Sequence, residues 1–155
     1  MRAYLSRRRT PDETAADVAR IARHYMGAWR RGSLVLVGYS RGADTAPFAA
    51  NRLPADLRAR LSLVALLGPS TYANFEFHWA DLVSSTPRPD DLPTAPELVR
   101  LRGTRVLCVY GTGEKDSLCR AADPAAVTLV SREGEHHFDG NFRSLGDLIL
   151  GALNG

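Results

Sequence analysis

Lysine is nearly absent from this 155-residue chain: its basic residues number 20, and Lys115 is the only lysine among them. The arginines are scattered, and their one run, residues 7–9, has no aromatic residues between its members. A surface that binds nucleic acid needs clustered basic residues and a recognisable binding motif. We therefore expect no nucleic-acid partner, and we interpret the bias toward arginine and alanine as a property of the coding sequence.

Long apolar runs are missing as well. No stretch reaches the roughly 20 residues of a membrane-spanning helix, and the N-terminus lacks the apolar core of a secretion signal. Read as a complete protein, the chain is predicted to be cytoplasmic. However, residues 3–5 resemble the end of a strand, so we expect the chain to begin part-way through a larger fold. In that case the missing signal says nothing about the compartment.

Cysteine is scarce, and Cys108 and Cys119 are the only two. No C-x-x-C or Cys/His spacing predicts a zinc site. The cluster of His136, His137 and Asp139 is an unfavourable metal site, because adjacent histidines make poor co-ligands and no His-Glu-x-x-His helix is present. We predict neither a metal nor an organic cofactor. In an oxidising compartment the two cysteines are a candidate disulfide.

The most informative segment that is present follows the apolar run at residues 34–37. It reads Gly38-Tyr39-Ser40-Arg41-Gly42, a Gly-x-Ser-x-Gly motif, and a helix-competent stretch comes next. This is the pattern of a nucleophile elbow, a sharp turn from strand to helix that exposes a reactive serine. We expect both glycines to be needed, because side chains there would crowd the turn.

The remaining sequence alternates between apolar runs and helical patterns. Runs at residues 34–37, 61–67, 106–110 and 126–130 are predicted as buried strands. Helices are predicted at residues 43–52, 54–60 and 97–101 and from Phe142 onward. Strands separated by helices imply a parallel sheet. The predicted fold is a single α/β-hydrolase-like domain over residues 1–155, a three-layer sandwich that lacks its first strands.

The first helix has a clear start and a candidate core face. Thr10, Pro11 and Glu13 together predict a capping box with proline in the first turn. The apolar residues at helical spacing are predicted to face the core; they are Val18, Ile21, Ala22, Tyr25 and Trp29.

A serine hydroxyl needs a base to take its proton and a carboxylate to orient that base. In α/β-hydrolases these groups follow successive strands in the order Ser, acid, His. Here Ser40 is followed by Asp116 or Glu114 and then by His136 or His137. We prefer Asp116 as the acid, three residues after Gly113, and His136 as the base, with the other histidine in support.

The oxyanion hole is predicted only in part. The backbone N–H of Arg41, directly after the nucleophile, is the expected first donor. The second donor normally comes from a loop after an earlier strand, and no such strand and loop precede the first helix in this sequence. Losing one donor costs about a hundred- to a thousandfold in turnover, so we expect the chain by itself to be slow.

Three motifs carry a family resemblance over nearly the whole chain. They are Gly38-Tyr39-Ser40-Arg41-Gly42-Ala43-Asp44, then Asp116-Ser117-Leu118-Cys119, and finally His136-His137-Phe138-Asp139-Gly140. In these motifs the chain resembles the VirJ/AcvB family of bacterial virulence-associated proteins. The resemblance implies an α/β-hydrolase-like fold, a periplasmic location, hydrolysis of lysyl-phosphatidylglycerol and a link to type IV secretion. It carries Ser40, Asp116 and His136 over as the catalytic groups and favours the disulfide.

For an esterase acting on such a lipid, residues that follow the second predicted strand are candidate substrate contacts. Phe75, Phe77 and Trp79 are candidates for contact with lipid, with packing in the core as the alternative, and Asp44 and Glu76 are candidates for binding the cationic lysyl group. Tyr39, Glu114 and His137 are expected to support the site. Two alternatives remain: a weakly catalytic module that works through a partner in a secretion system, and an esterase for another small ester. Arg41 and Glu135 depart from the family pattern, which bears on substrate preference.

Overall fold

Apolar runs of the sequence form a four-stranded parallel sheet. The computed structural model describes residues 8–76 and 88–154. Its strands are β1 (Leu34–Tyr39), β2 (Leu61–Leu67), β3 (Tyr72–Ala73), β4 (Leu92–Pro93), β5 (Val106–Gly111) and β6 (Thr128–Arg132). Its helices are α1 (Pro11–Ala28), α2 (Arg41–Asn51), α3 (Ala55–Arg58), α4 (Ala95–Arg100), α5 (Leu118–Ala121) and α6 (Phe142–Asn154), with a 3-10 turn at Phe138–Gly140. The sheet order is β1-β2-β5-β6.

Helices cover the sheet on both faces. Alternate residues of β2 point to opposite sides, so that Val64 and Leu66 join the core beneath α2, whereas Leu63 and Ala65 join the core beneath α6. Strands buried on two faces are continuously apolar, as β2 and β5 are. The prediction of a three-layer α/β sandwich is therefore confirmed. β3 and β4 form a separate antiparallel pair.

The predicted start of α1 is confirmed, but its predicted core face is only partly right: Ala22 is buried and Val18 packs against the same cluster. Thr10 and Glu13 form the reciprocal capping box, with hydrogen bonds of 3.1 and 2.9 Å. Ile21, Tyr25 and Trp29 are exposed, and besides Ala22 the helix is buried through Ala15, Ala19 and Met26. The alanine stripe lets α1 approach Leu53 and Leu57 closely, which bulky side chains would prevent.

β1 is less buried than the central strands β2 and β5. Within the described residues it pairs only with β2, and Val37 and Tyr39 on one of its faces are exposed. The strand that leads to Ser40 thus lies at an edge of the described sheet. The strand expected at residues 3–5 lies outside the described residues. No helix in the described ranges combines the length and the apolarity needed to cross a bilayer.

Candidate active site

Ser40 occupies a strained turn between β1 and α2. Its φ is 53° and its ψ is −125°, a backbone conformation that residues other than glycine rarely adopt. Gly38 is required, because a Cβ there would lie 2.3 Å from the carbonyl oxygen of Gly42. The corresponding prediction for Gly42 is wrong, since a Cβ at that position meets no atom within 4 Å. The turn is crowded on its strand side only.

The loop after β6 has to cross the carboxyl ends of β5 and β2 before it reaches Ser40 at the end of β1. Two glycines make that path possible. At Gly111 a Cβ would lie 2.5 Å from the carbonyl oxygen of Glu135, and at Gly68 it would lie 3.0 Å from the His136 ring. Phe138, which is buried against the core beneath α6, then anchors the loop.

The sequence shows Gly68 and Gly111 only as strand-ending residues. Nothing in the pattern indicates that another loop packs directly onto them, because that contact depends on the strand order of the sheet. Gly68 also has a φ of +61°, so that a side chain there would be strained whatever the available space.

Ser40, His136 and Glu114 form one continuous line of hydrogen bonds. His136 Nε2 lies 2.8 Å from Ser40 Oγ, and His136 Nδ1 lies 2.6 Å from Glu114 Oε1. Because a carboxylate only accepts hydrogen bonds, the ring proton belongs on Nδ1. The lone pair on Nε2 is then directed at the serine hydroxyl, as a general base requires.

The preference for Asp116 as the acid is wrong: Glu114 is the carboxylate on His136. The chain turns back tightly after β5, with the Glu114 N–H donating to the Gly111 carbonyl at 3.0 Å. Glu114 Oε2 accepts the Gly111 N–H at 2.7 Å, which leaves Oε1 for the imidazole. Asp116 lies beyond this turn and is exposed, and its side chain makes no hydrogen bond or ion pair with the described residues.

Two further contacts fix the segment that carries Glu114. The Arg120 guanidinium donates to the carbonyls of Glu114 and Thr112, at 2.7 Å each, and lies over the Tyr110 ring. A disulfide joins Cys108 in β5 to Cys119 in α5, on either side of this segment. The expected disulfide is thus present. The role of Arg120 had no sequence signal, because scattered arginines are common in this chain.

Tyr39 and His137 form a second pair beside His136. Tyr39 Oη lies 2.7 Å from His137 Nδ1, and the Tyr39 ring stacks on the His136 ring with 5.7 Å between centroids. Burial, and then the negative charge of Glu114, raise the pKa of Tyr39. Tyr39 and His137, two of the three side chains expected to support the site, therefore do lie against it.

Asp44 does not fit the predicted role of a receptor for a cationic group. It lies in the first turn of α2 and is only 7% exposed, and its Oδ1 accepts the Ser70 N–H at 2.6 Å. Burial raises the pKa of Asp44 to about 7, with opposing contributions from the Ser70 hydrogen bond and from electrostatic interactions with His136 and Arg41. The carboxylate is therefore buried and bonded to Ser70, and it is not exposed to a substrate.

Of the other predicted substrate contacts, Phe75 and Glu76 make contacts within the protein, and the remaining two are not described. Phe75 packs edge-to-face on buried Phe48 at 5.3 Å, which is a core contact. The Glu76 carbonyl accepts a hydrogen bond from the Arg41 guanidinium, which brings that segment next to the elbow. Phe77 and Trp79 lie outside the described residues. In residues 8–76 and 88–154, no three His, Cys, Asp or Glu side chains are grouped so that they could hold a metal ion.

The sequence matches the VirJ family of bacterial virulence proteins over residues 1–155. The chain belongs to this family. Among curated proteins, no sequence matches it.

Two solved structures are similar to this VirJ-family chain. One is a thioesterase domain from the curacin biosynthetic pathway, with a TM-score of 0.51, 15% identity and coverage of 88% of this chain and 73% of that one. The other is an esterase domain from a Rhodothermus marinus protein, with a TM-score of 0.48, 14% identity and coverage of 81% of this chain and 58% of that one. The chain thus spans less than two thirds of the Rhodothermus domain. At such identities the first of these likenesses shows a shared α/β-hydrolase-like fold.

Proposed function

We propose that this protein is a serine hydrolase that cleaves esters through an acyl-enzyme. The hydrogen-bonded line from Ser40 through His136 to Glu114 is the observation that carries the proposal. His136 removes the hydroxyl proton as Ser40 Oγ attacks the ester carbonyl carbon. The protonated imidazole then gives that proton to the departing alkoxide, and the acyl group stays on Ser40.

In the second half of the reaction, His136 takes a proton from water, and the resulting hydroxide attacks the acyl-enzyme. Collapse of the intermediate breaks the bond to Ser40 Oγ, which recovers its proton from His136. Glu114 keeps the ring oriented and stabilises its charged form in both halves. We assign the Arg41 backbone N–H, at the start of α2, as one donor to the oxyanion.

The proposed substrate is the aminoacyl ester of lysyl-phosphatidylglycerol or of a similar lipid, with lysine as the acyl group. Membership of the VirJ family supports this proposal. Two exposed carboxylates on the loop that carries His136 suit a cationic group; they are Glu135 and Asp139. An oxidising compartment such as the periplasm is also proposed, because disulfides persist there and not in a reducing cytosol.

A fluorophosphonate probe tests the nucleophile, since it reacts only with an activated serine. We expect the wild-type protein to be labelled on Ser40 and Ser40→Ala to remain unlabelled. Equal labelling of both proteins, or none of either, would contradict the proposed function.

Lysine release tests the substrate separately. Vesicles that contain lysyl-phosphatidylglycerol should release lysine with the wild-type protein and not with Ser40→Ala. A labelled protein that hydrolyses p-nitrophenyl acetate but releases no lysine would keep the hydrolase proposal and reject this lipid.

A further inference from the structure

The loop at residues 68–70, which follows β2, supports three parts of the candidate site at once. On one side, the backbone of Gly68 lies against the His136 ring. On a second side, the Pro69 carbonyl accepts hydrogen bonds from the Leu118 N–H at 2.9 Å and from Ser117 Oγ at 3.3 Å, just beyond Glu114. Its third attachment is the Ser70 N–H, which donates to Asp44.

Asp44 is the link between this loop and the nucleophile helix. Its own N–H donates to the Ser40 carbonyl at 3.1 Å, so the backbone of Asp44 is fixed relative to the elbow. Its side chain holds Ser70 at 2.6 Å. A path of two hydrogen bonds therefore runs from Ser40 through Asp44 to the loop on which the imidazole packs.

We propose that Asp44 is a positioning residue, which fixes the 68–70 loop relative to Ser40 and so sets the place of the His136 ring between Ser40 and Glu114. This inference rests on the proposed hydrolase function, in which proton transfer needs that placement. It assigns Asp44 no contact with substrate.

Burial and geometry favour this role over a purely structural one. Asp44 is only 7% exposed, and burying a carboxylate costs folding free energy unless an ion pair or hydrogen bonds compensate for it. In the described residues Asp44 forms no ion pair that would offset this cost. Its hydrogen bond instead ends two residues from Gly68, the residue in contact with the catalytic ring.

The experiment compares three variants. Asp44→Ala removes the acceptor, and Asp44→Asn keeps an acceptor oxygen for the Ser70 N–H. The control, Glu97→Gln, alters a buried carboxylate of α4 that is bound by Arg52 and Arg100. We measure kcat and KM with p-nitrophenyl acetate, the rate of fluorophosphonate labelling, and the melting temperature. A misplaced base slows the chemical step, with a cost on the order of 100-fold for a displacement of about 1 Å.

We expect Asp44→Ala to lower kcat and the labelling rate by about 10- to 100-fold with little change in KM. Asp44→Asn should recover most of that loss, and Glu97→Gln should lower the melting temperature without lowering kcat. Wild-type kcat in Asp44→Ala, or an equal loss in Asp44→Asn, would overturn the proposal. The first result would make Asp44 structural only, and the second would make its charge the important property.

Proton NMR tests the inference independently of activity. The proton between His136 Nδ1 and Glu114 should give a resolved low-field signal in the wild-type protein and in Asp44→Asn, and this signal should be lost in Asp44→Ala. An unchanged signal in Asp44→Ala would overturn the inference. If the wild-type protein neither reacts with the probe nor hydrolyses the ester, the proposed function fails, while this signal still decides whether Asp44 positions the ring.

Discussion

A buried carboxylate lies at each end of α2: Asp44 belongs to its first turn, and Glu97 of α4 packs against its C-terminal end. The two carboxylates have opposite surroundings. At the C-terminal end, Glu97 is 3% exposed and is bound by Asn51 at 2.7 Å, by Arg100 at 2.7 Å and by Arg52 at 3.1 Å. At the N-terminal end, Asp44 has the Ser70 N–H and, in the part of the chain described, no ion pair.

The electrostatic consequences are opposite as well. Burial acts to raise the pKa of Glu97, but Arg52, Asn51 and Arg100 outweigh it, and the pKa is lowered. Burial dominates at Asp44 and raises its pKa to about 7. A paired carboxylate stabilises the fold, whereas an unpaired one costs stability, and costly groups of that kind are concentrated at functional sites. We call the C-terminal end of α2, next to Glu97, its structural end, and the N-terminal end, next to Ser40, its chemical end.

The pH dependence of stability should show the largest difference between the two ends. Because the pKa of Asp44 rises from 3.8 in the unfolded chain to about 7 in the fold, the folded state binds the extra proton between these values. Stability therefore falls as pH rises from 4 to 7. We expect Asp44→Asn to gain about 4 kcal/mol relative to wild type over that interval.

Urea unfolding at pH 4, 5.5, 7 and 8 measures this difference. Above pH 7 it should become constant, because Asp44 is then ionised in both states. A constant difference across the whole pH range would mean that the buried carboxylate at the chemical end is no more costly than the paired one.

The disulfide is the next largest contribution, and it lies at the chemical end. The bond between Cys108 and Cys119 closes a short segment that contains Glu114. The double variant Cys108→Ala/Cys119→Ala should lose about 3 kcal/mol of stability and should be labelled more slowly by the probe, because the acid is less well fixed. Denaturant unfolding and labelling kinetics check both effects. Unchanged labelling would show that Arg120 and the Gly111 turn are sufficient to hold Glu114.

Glu97→Gln tests the structural end and should have the smallest effect. It weakens the interactions with Arg52 and Arg100, so we expect a loss of about 2 kcal/mol at pH 7. The lowered pKa of Glu97 means that its stabilisation is present above the unfolded value of 4.5 and is lost as pH falls below it. The cost of the substitution should therefore shrink toward pH 3. Urea unfolding at both pH values measures it, and a loss of kcat would contradict the separation of the two ends.

Much of the site could be read from the sequence because strand, turn and helix leave local signals. The Gly-x-Ser-x-Gly motif places Ser40 at an elbow, and the order Ser, acid, His places the other groups after later strands. The spacing from Gly113 favours Asp116 over Glu114, but spacing says nothing about which way the turn folds. The hydrogen bond of Glu114 back to Gly111 decides that question, and it exists only in three dimensions.

Contacts between distant loops were not predictable. The contact of Gly68 with His136 depends on β2 lying between β1 and β5, and the role of Asp44 depends in turn on the position of that loop. The predicted core face of α1 is wrong at Ile21, Tyr25 and Trp29 for a related reason. Two helical stripes compete there, and the close approach of neighbouring elements favours the alanines over the larger Ile21 and Trp29.

The most direct test compares the two acidic residues of the segment after β5. Glu114→Gln keeps the size of the side chain but removes the carboxylate on His136, whereas Asp116→Asn makes the same change at an exposed neighbour. Fluorophosphonate labelling of Ser40 should slow by about 1,000-fold or more in Glu114→Gln and stay within about twofold of wild type in Asp116→Asn, where a surface change is energetically small. The reverse pattern, or equal rates in both variants, would contradict a proton-transfer line through Glu114.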